Sequence, residues 1–155
     1  QRDIYNLVLS AQSAAINEIK PGKHWNEPHD AAVRVLTEGM VELGVLKGDP
    51  EKLIKNDDYT KYYMHRTGHW LGMDVHDVGD YKLDGEWRML EAGMAMTVEP
   101  GLYLPANSKS LPNQWRNIGV RIEDDVLVTK DGYDILSKDA PKTIDEIEEL
   151  MADAA

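Results

Sequence analysis

The sequence predicts an α+β fold. Two amphipathic helical stretches come first, strand-like stretches follow from Tyr62 onward, and no repeat or linker divides the 155 residues. Helices gathered at one end of a chain and strands at the other are the pattern of helices laid on one side of a mainly antiparallel sheet.

The first helix is expected over residues 3–20. Ile4, Leu7, Val8, Ala11, Ala15 and Ile19 recur at three- and four-residue spacing, Asp3 can cap the start, and Pro21-Gly22 ends the run. A second helix is expected over 28–43, with Pro28 in its first turn, a buried stripe of Ala32, Val35, Leu36, Met40 and Leu43, and Gly44 as its C-terminal stop. Lys47-Gly48-Asp49-Pro50 reads as a turn leading into a short polar helix around 50–56. Met94, Met96 and Val98 then alternate with Ala95, Thr97 and Glu99, and Ile118, Val120 and Ile122 with Gly119, Arg121 and Glu123. With side chains alternating between faces, Glu99 and Glu123 each point away from the apolar side of a strand. Asp131-Gly132 marks a hairpin between Val126-Leu127-Val128 and Tyr133-Asp134-Ile135-Leu136. Residues 104–117 read as a long loop, and Thr143 to Met151 as an acidic helix capped by Thr143.

A net charge of −11 argues against nucleic acid or an anionic membrane as a partner, since both need basic patches. No apolar stretch approaches the roughly 18 residues of a membrane span, and Gln1-Arg2-Asp3 lacks the shape of a signal peptide. The absence of cysteine removes disulfides, thiolate metal sites and thiol nucleophiles. It suits a reducing cytoplasm, the expected location. The chain has no initiator Met and opens directly into a helix, as though cut from something longer.

The chemistry is concentrated in the middle of the chain. His65, His69 and His76 fall within twelve residues, interleaved with Gly68, Trp70 and Gly72. Glycine at two positions of that run disfavours a helix, so a strand or turn is expected. A single histidine is most often a hydrogen-bonded core or surface residue, but three together beside Glu99 and Glu123 point to metal ligands and proton carriers. Pro100-Gly101 after Glu99 suggests a strand that ends at a mouth or bend. Arg121 lies on the same strand face as Glu123 and could fix its orientation. Oxygen-rich ligation with one imidazole suits Mn²⁺ or another hard-to-borderline divalent ion better than structural zinc.

Three blocks carry a resemblance. They are His65-x3-His69-Trp70-Leu71-Gly72-x-Asp74-Val75-His76-Asp77-Val78-Gly79, then Leu90-Glu91-x-Gly93-Met94-x2-Thr97-Val98-Glu99-Pro100-Gly101, then Gly119-Val120-Arg121-Ile122-Glu123-Asp124-Asp125. Together they resemble the catalytic half of the aminopeptidase P (Xaa-Pro aminopeptidase) family, pita-bread metallopeptidases. The implied fold is a curved antiparallel sheet with helices on its outer face. The implied activity is removal of the first residue from peptides with proline second. By this resemblance His69, Glu99 and Glu123 are metal ligands, with Glu123 bridging two Mn²⁺ ions. Glu99 takes a proton from the attacking water, His65 and His76 contact substrate and transition state, and Arg121 supports the bridging glutamate. Prolidase, which takes only Xaa-Pro dipeptides, and a non-catalytic pita-bread domain that binds peptides or proteins are the alternatives.

The family's site has five protein ligands, two of them aspartates that precede the first helix of this chain. Asp3 and Asp30 belong to helices and cannot replace them. The expectation is therefore that residues 1–155 form the C-terminal part of the catalytic domain, with the N-terminal part of the fold missing and activity weak or absent. An open sheet edge and exposed apolar surface would then favour a homo-oligomer.

Overall fold

In a computed structural model, residues 1–153 are described. The leading helices are α1 (Arg2–Asn17) and α2 (Glu27–Glu42). Helix α1 stops short of the expected residue 20, and Gln1 is its N-cap, so Asp3 sits inside the first turn. There its carboxylate faces the positive end of the helix dipole and is well placed without capping. The stripe of Ile4, Val8, Ala11 and Ala15 is fully buried together with Ala32, Leu36 and Met40 of α2. Gly39 lets the helices approach: a Cβ there would stand 2.3 Å from Leu7 Cδ1. Gly44, at φ +71°, follows the C-cap Leu43 of α2, and Val45 N–H closes the end on Met40 O at 2.8 Å. Helix α3 (Pro50–Lys55) is capped by Asp49, whose side chain accepts the Lys52 N–H.

The strands are β1 (Lys82–Leu83), β2 (Glu86–Trp87), β3 (Ala95–Val98), β4 (Gly101–Leu104), β5 (Ile118–Arg121), β6 (Asp124–Val128) and β7 (Tyr133–Ile135). β1 and β2 form a small hairpin around Asp84-Gly85, both at positive φ, a turn the sequence reading did not anticipate. The Asp131-Gly132 hairpin pairs β6 with β7 as expected. β3 pairs antiparallel with β6, and β4 with β5.

Ala95 opposes Leu127 in the first of these ladders and Gly101 opposes Arg121 in the second, so both keep one register. They are a single long hairpin interrupted at Glu99-Pro100. The strand expected to end at Pro100-Gly101 resumes as β4, because proline removes one ladder donor without turning the chain. Carrying the register across the gap sets Glu99 opposite Glu123. Residues 67–71 run along the other edge of β3: Leu71 N–H donates to Ala95 O, Thr97 N–H to His69 O, and Glu99 N–H to Thr67 O at 2.6 Å. Residues 67–71 of the histidine block are therefore strand-like, while residues 72–76, His76 among them, form a bend.

The helices cover one face of this sheet, where Met96, Val98, Leu102 and Val126 are buried with them. Gln12 of α1 reaches the sheet directly, donating to Val98 O at 3.4 Å. Helix α4 (Ile144–Asp153) starts on a capping box in which Thr143 and Glu146 bond reciprocally. No described helix is long and apolar enough to cross a membrane.

Candidate metal centre

The interruption in the long hairpin is where His69, Glu99 and Glu123 meet. One ligand atom from each lies within 4.8 Å of the others. His69 arrives from the edge segment, Glu99 from the end of β3 and Glu123 from the link between β5 and β6. His69 Nδ1 lies 2.9 Å from its neighbour's carbonyl, Trp70 O, and must donate to it. In the neutral ring this leaves the Nε2 lone pair bare, and Nε2 lies 3.3 Å from Glu99 Oε1. Two acceptors at that distance repel unless a proton or a cation stands between them. Like carboxylates directly across a ladder are likewise unfavourable. Burial and then the Glu99 charge hold the Glu123 carboxyl above the ordinary glutamate range, against the pull of Arg121 and His69. A donor set of one imidazole and two opposed carboxylates fits a divalent cation.

Thr97 orders the wall: its hydroxyl accepts the His69 N–H at 3.1 Å and donates to Glu99 Oε1 at 3.2 Å. Arg121 does not grip Glu123. Its Nε lies 3.8 Å from Glu99 Oε2, too long for a hydrogen bond, and its side chain is 55 % exposed. The shared strand face brought Arg121 near both carboxylates, and the register with Gly101 tips it toward Glu99. The His76 ring stands 4.2 Å from that of His69 and is exposed. His65 lies apart from the three ligand atoms in its bonding. Its Nδ1 contacts Arg66 O at 2.8 Å, and its Nε2 meets the Tyr103 hydroxyl at 2.8 Å. With Nδ1–H donating to the carbonyl, Nε2 accepts the Tyr103 O–H.

Sequence reasoning missed Thr97, Tyr103 and Thr67. Thr97 shares the Glu99 face by simple alternation and was legible. Tyr103 lies on β4, beyond the point where the strand was expected to end at Pro100-Gly101. Thr67 is 4 % exposed, and its hydroxyl meets His29 Nδ1 at 2.8 Å and the Tyr63 hydroxyl at 2.5 Å.

Burial, with Arg66 and His65 adding to it, pushes the His29 imidazole down to about 3. The unfolded chain takes up a proton as pH falls below about 6.5, while the folded chain refuses it until about pH 3. Stability present above pH 6.5 is thus lost as pH falls. At 1.36 kcal/mol per pH unit, His29 removes about 2 kcal/mol between pH 6.5 and pH 5. Urea denaturation of the wild type and H29Q at pH 7 and pH 5 checks this; the pH-dependent part should shrink by that amount in H29Q.

The sequence profile of metallopeptidase family M24 matches residues 1–130. An Xaa-Pro aminopeptidase of Haemophilus influenzae is 50 % identical over 97 % of this chain and 35 % of its own length. The aminopeptidase PepP of Pseudomonas aeruginosa matches 99 % of the chain at 58 % identity with a TM-score of 0.97, over 35 % of that protein. Escherichia coli aminopeptidase P with the inhibitor Pro-Leu matches 99 % at 43 % identity with a TM-score of 0.93, over 34 % of that protein. The chain thus spans about a third of the length of the relatives it matches. The pita-bread architecture expected from the sequence is the one it shares with them over that third. A profile match over most of the chain, relatives at this identity and a matching fold agree: the chain belongs to metallopeptidase family M24.

Proposed function

We propose that this chain carries one wall of a two-metal Xaa-Pro aminopeptidase site, with His69, Glu99 and Glu123 as the metal ligands. The observation that carries the reading is the opposition of Glu99 and Glu123 across the broken ladder, with the bare Nε2 of His69 beside them. The likeness to Xaa-Pro aminopeptidases supplies the substrate class, peptides with proline in second position. When bound, the metal supplies Lewis acidity toward the peptide carbonyl and acidifies water. Mn²⁺ is the ion the donor set suits best.

The side chains then have separate tasks. Glu99, steadied by Thr97, takes the proton of the attacking water. His76, exposed beside His69, meets the carbonyl oxygen as charge develops there, a contact of the kind whose loss costs about 10²–10³ in rate. His65 accepts the Tyr103 O–H hydrogen bond at Nε2, and this pair is the relay through which the proton that Glu99 takes from water passes on to the leaving proline nitrogen. Arg121 balances the charge of Glu99. With three ligands in the cluster, residues 1–155 alone hydrolyse such peptides weakly. The protein works in the cytoplasm and self-associates through its exposed apolar surface.

Metal analysis of this chain, with cleavage of Arg-Pro-Pro and Gly-Pro, tests the reading. The expected result is at most one tightly held ion per chain and slow release of arginine from the tripeptide. Robust turnover with two bound ions per chain would refute the weak-fragment part. Cleavage confined to Gly-Pro would assign the site to a prolidase instead.

A further inference from the structure

We propose that His29, Thr67 and Tyr63 form a buried clamp that fixes the register of residues 67–71 on β3 and so positions His69 against Glu99. The inference rests on the reading of His69 and Glu99 as parts of one metal wall.

All three side chains are buried: His29 is 6 % exposed, Thr67 4 % and Tyr63 1 %. They come from three parts of the chain, the first turn of α2, the stretch after α3 and the edge segment itself. The Thr67 hydroxyl is the hub, 2.8 Å from His29 Nδ1 and 2.5 Å from Tyr63 OH. It has one proton and two lone pairs, so it can accept from one partner and donate its single proton to the other. Burial keeps the imidazole neutral, consistent with that count. Polar groups placed in an apolar interior lower stability unless each is bonded, and a satisfied network instead selects one geometry.

A register needs such selection here. Residues 67–71 bond to β3 through main-chain groups, and Gly68 contributes no side chain to hold position. A slip by one residue would turn His69 to the opposite face and bring Gly68 or Trp70 to the site. The hydroxyl and the carbonyl of Thr67 prevent this from two directions. The hydroxyl is tied to α2 and Tyr63, while the carbonyl receives the Glu99 N–H at 2.6 Å. The same Tyr63 ring meets His65 edge-on, with centroids 5.1 Å apart at 83°. His29, Thr67 and Tyr63 are positioning residues in this scheme.

The test compares the wild-type 155-residue chain with T67V, which keeps the shape and loses the hydroxyl, T67S, which restores it, and Y63F, which removes one bond. Amide hydrogen exchange is read by NMR without metal, with Co²⁺ titration as a second readout. In T67V, exchange at Glu99 and at Leu71 and Thr97 should accelerate at least about tenfold while amides of α1 and α2 keep their protection. T67S should return to near wild-type rates and Y63F should fall between. Co²⁺ affinity should drop in the same order. Unchanged exchange at Glu99 in T67V, or an equal acceleration across the whole chain, would overturn the clamp. So would a loss that T67S fails to rescue. If T67V does not fold, the Y63F and T67S rates at Glu99 decide by the same criteria. Failure of the peptidase reading would look different, as absent turnover or Co²⁺ binding with the exchange pattern intact.

Discussion

Glu123→Gln should stabilise the metal-free chain and at the same time cost at least about a hundredfold in affinity for a divalent cation. The two signs share one cause. Without metal, Glu123 faces Glu99 across the ladder gap, and burial together with that neighbour already opposes its ionisation. A neutral amide of the same shape removes the repulsion, which for like charges opposed across strands amounts to about 0.2–1 kcal/mol. With metal, the lost carboxylate is a ligand. Removal of groups that merely support ligands costs about 10–100-fold, so loss of a ligand belongs at or beyond the upper figure, about 2.7 kcal/mol. Thermal melts in EDTA and in excess Mn²⁺ read both signs at once. The wild type should gain melting temperature from Mn²⁺, and E123Q should start higher and gain little. A variant that starts lower in EDTA, or that gains as much as the wild type, would remove Glu123 from the site.

Gly68→Ala should be the most damaging small substitution in the chain. A Cβ at residue 68 would lie 2.0 Å from the Thr97 carbonyl oxygen, a backbone atom of β3 that cannot swing aside as a side chain could. Relief requires residues 67–71 to lift from β3, which breaks the bonds from Glu99, Thr97 and Leu71 and carries His69 away from Glu99. Overpacking of this kind sits at the top of the usual range, about 3 kcal/mol, or about 6–12 °C in melting temperature for a chain of this size. Gly132→Ala is the matched control, since nothing lies within 4 Å of its added methyl group, and it should fall within about 0.5 kcal/mol of wild type. If G68A lost less than about 1 kcal/mol, the edge segment would not be paired with β3 as described.

The helices were legible because their burial is periodic. Ile4, Val8, Ala11 and Ala15 leave no doubt about which face is covered, although the cap and the end of α1 were both misplaced. The hairpin at Asp131-Gly132 was legible because its turn has a chemical signature. β4 was not, since Pro100-Gly101 is a stop signal in most contexts, and only the partner strand shows that the register survives it. Within the site, alternation was enough to face Glu99 and Glu123 the same way as Thr97 and Arg121. It could not say which carboxylate Arg121 would approach, because that depends on pairing with β4. His29 was invisible for a similar reason: its role comes from Thr67, 38 residues away, and no local pattern records that contact.

The Nδ1 contact of His69 has a consequence for how a cation would be captured. The imidazole is anchored to the carbonyl of the very next residue, and Glu99 is tethered through Thr97, so two of the three donors are immobilised as the chain folds. Glu123, without a side-chain hydrogen bond among the described residues, keeps more of its rotamer freedom until an ion arrives. Freezing a glutamate side chain costs up to about 1.5–2 kcal/mol. A centre built this way would be preorganised on one side and adaptive on the other, with the ordering of a single carboxylate as part of the cost of capture.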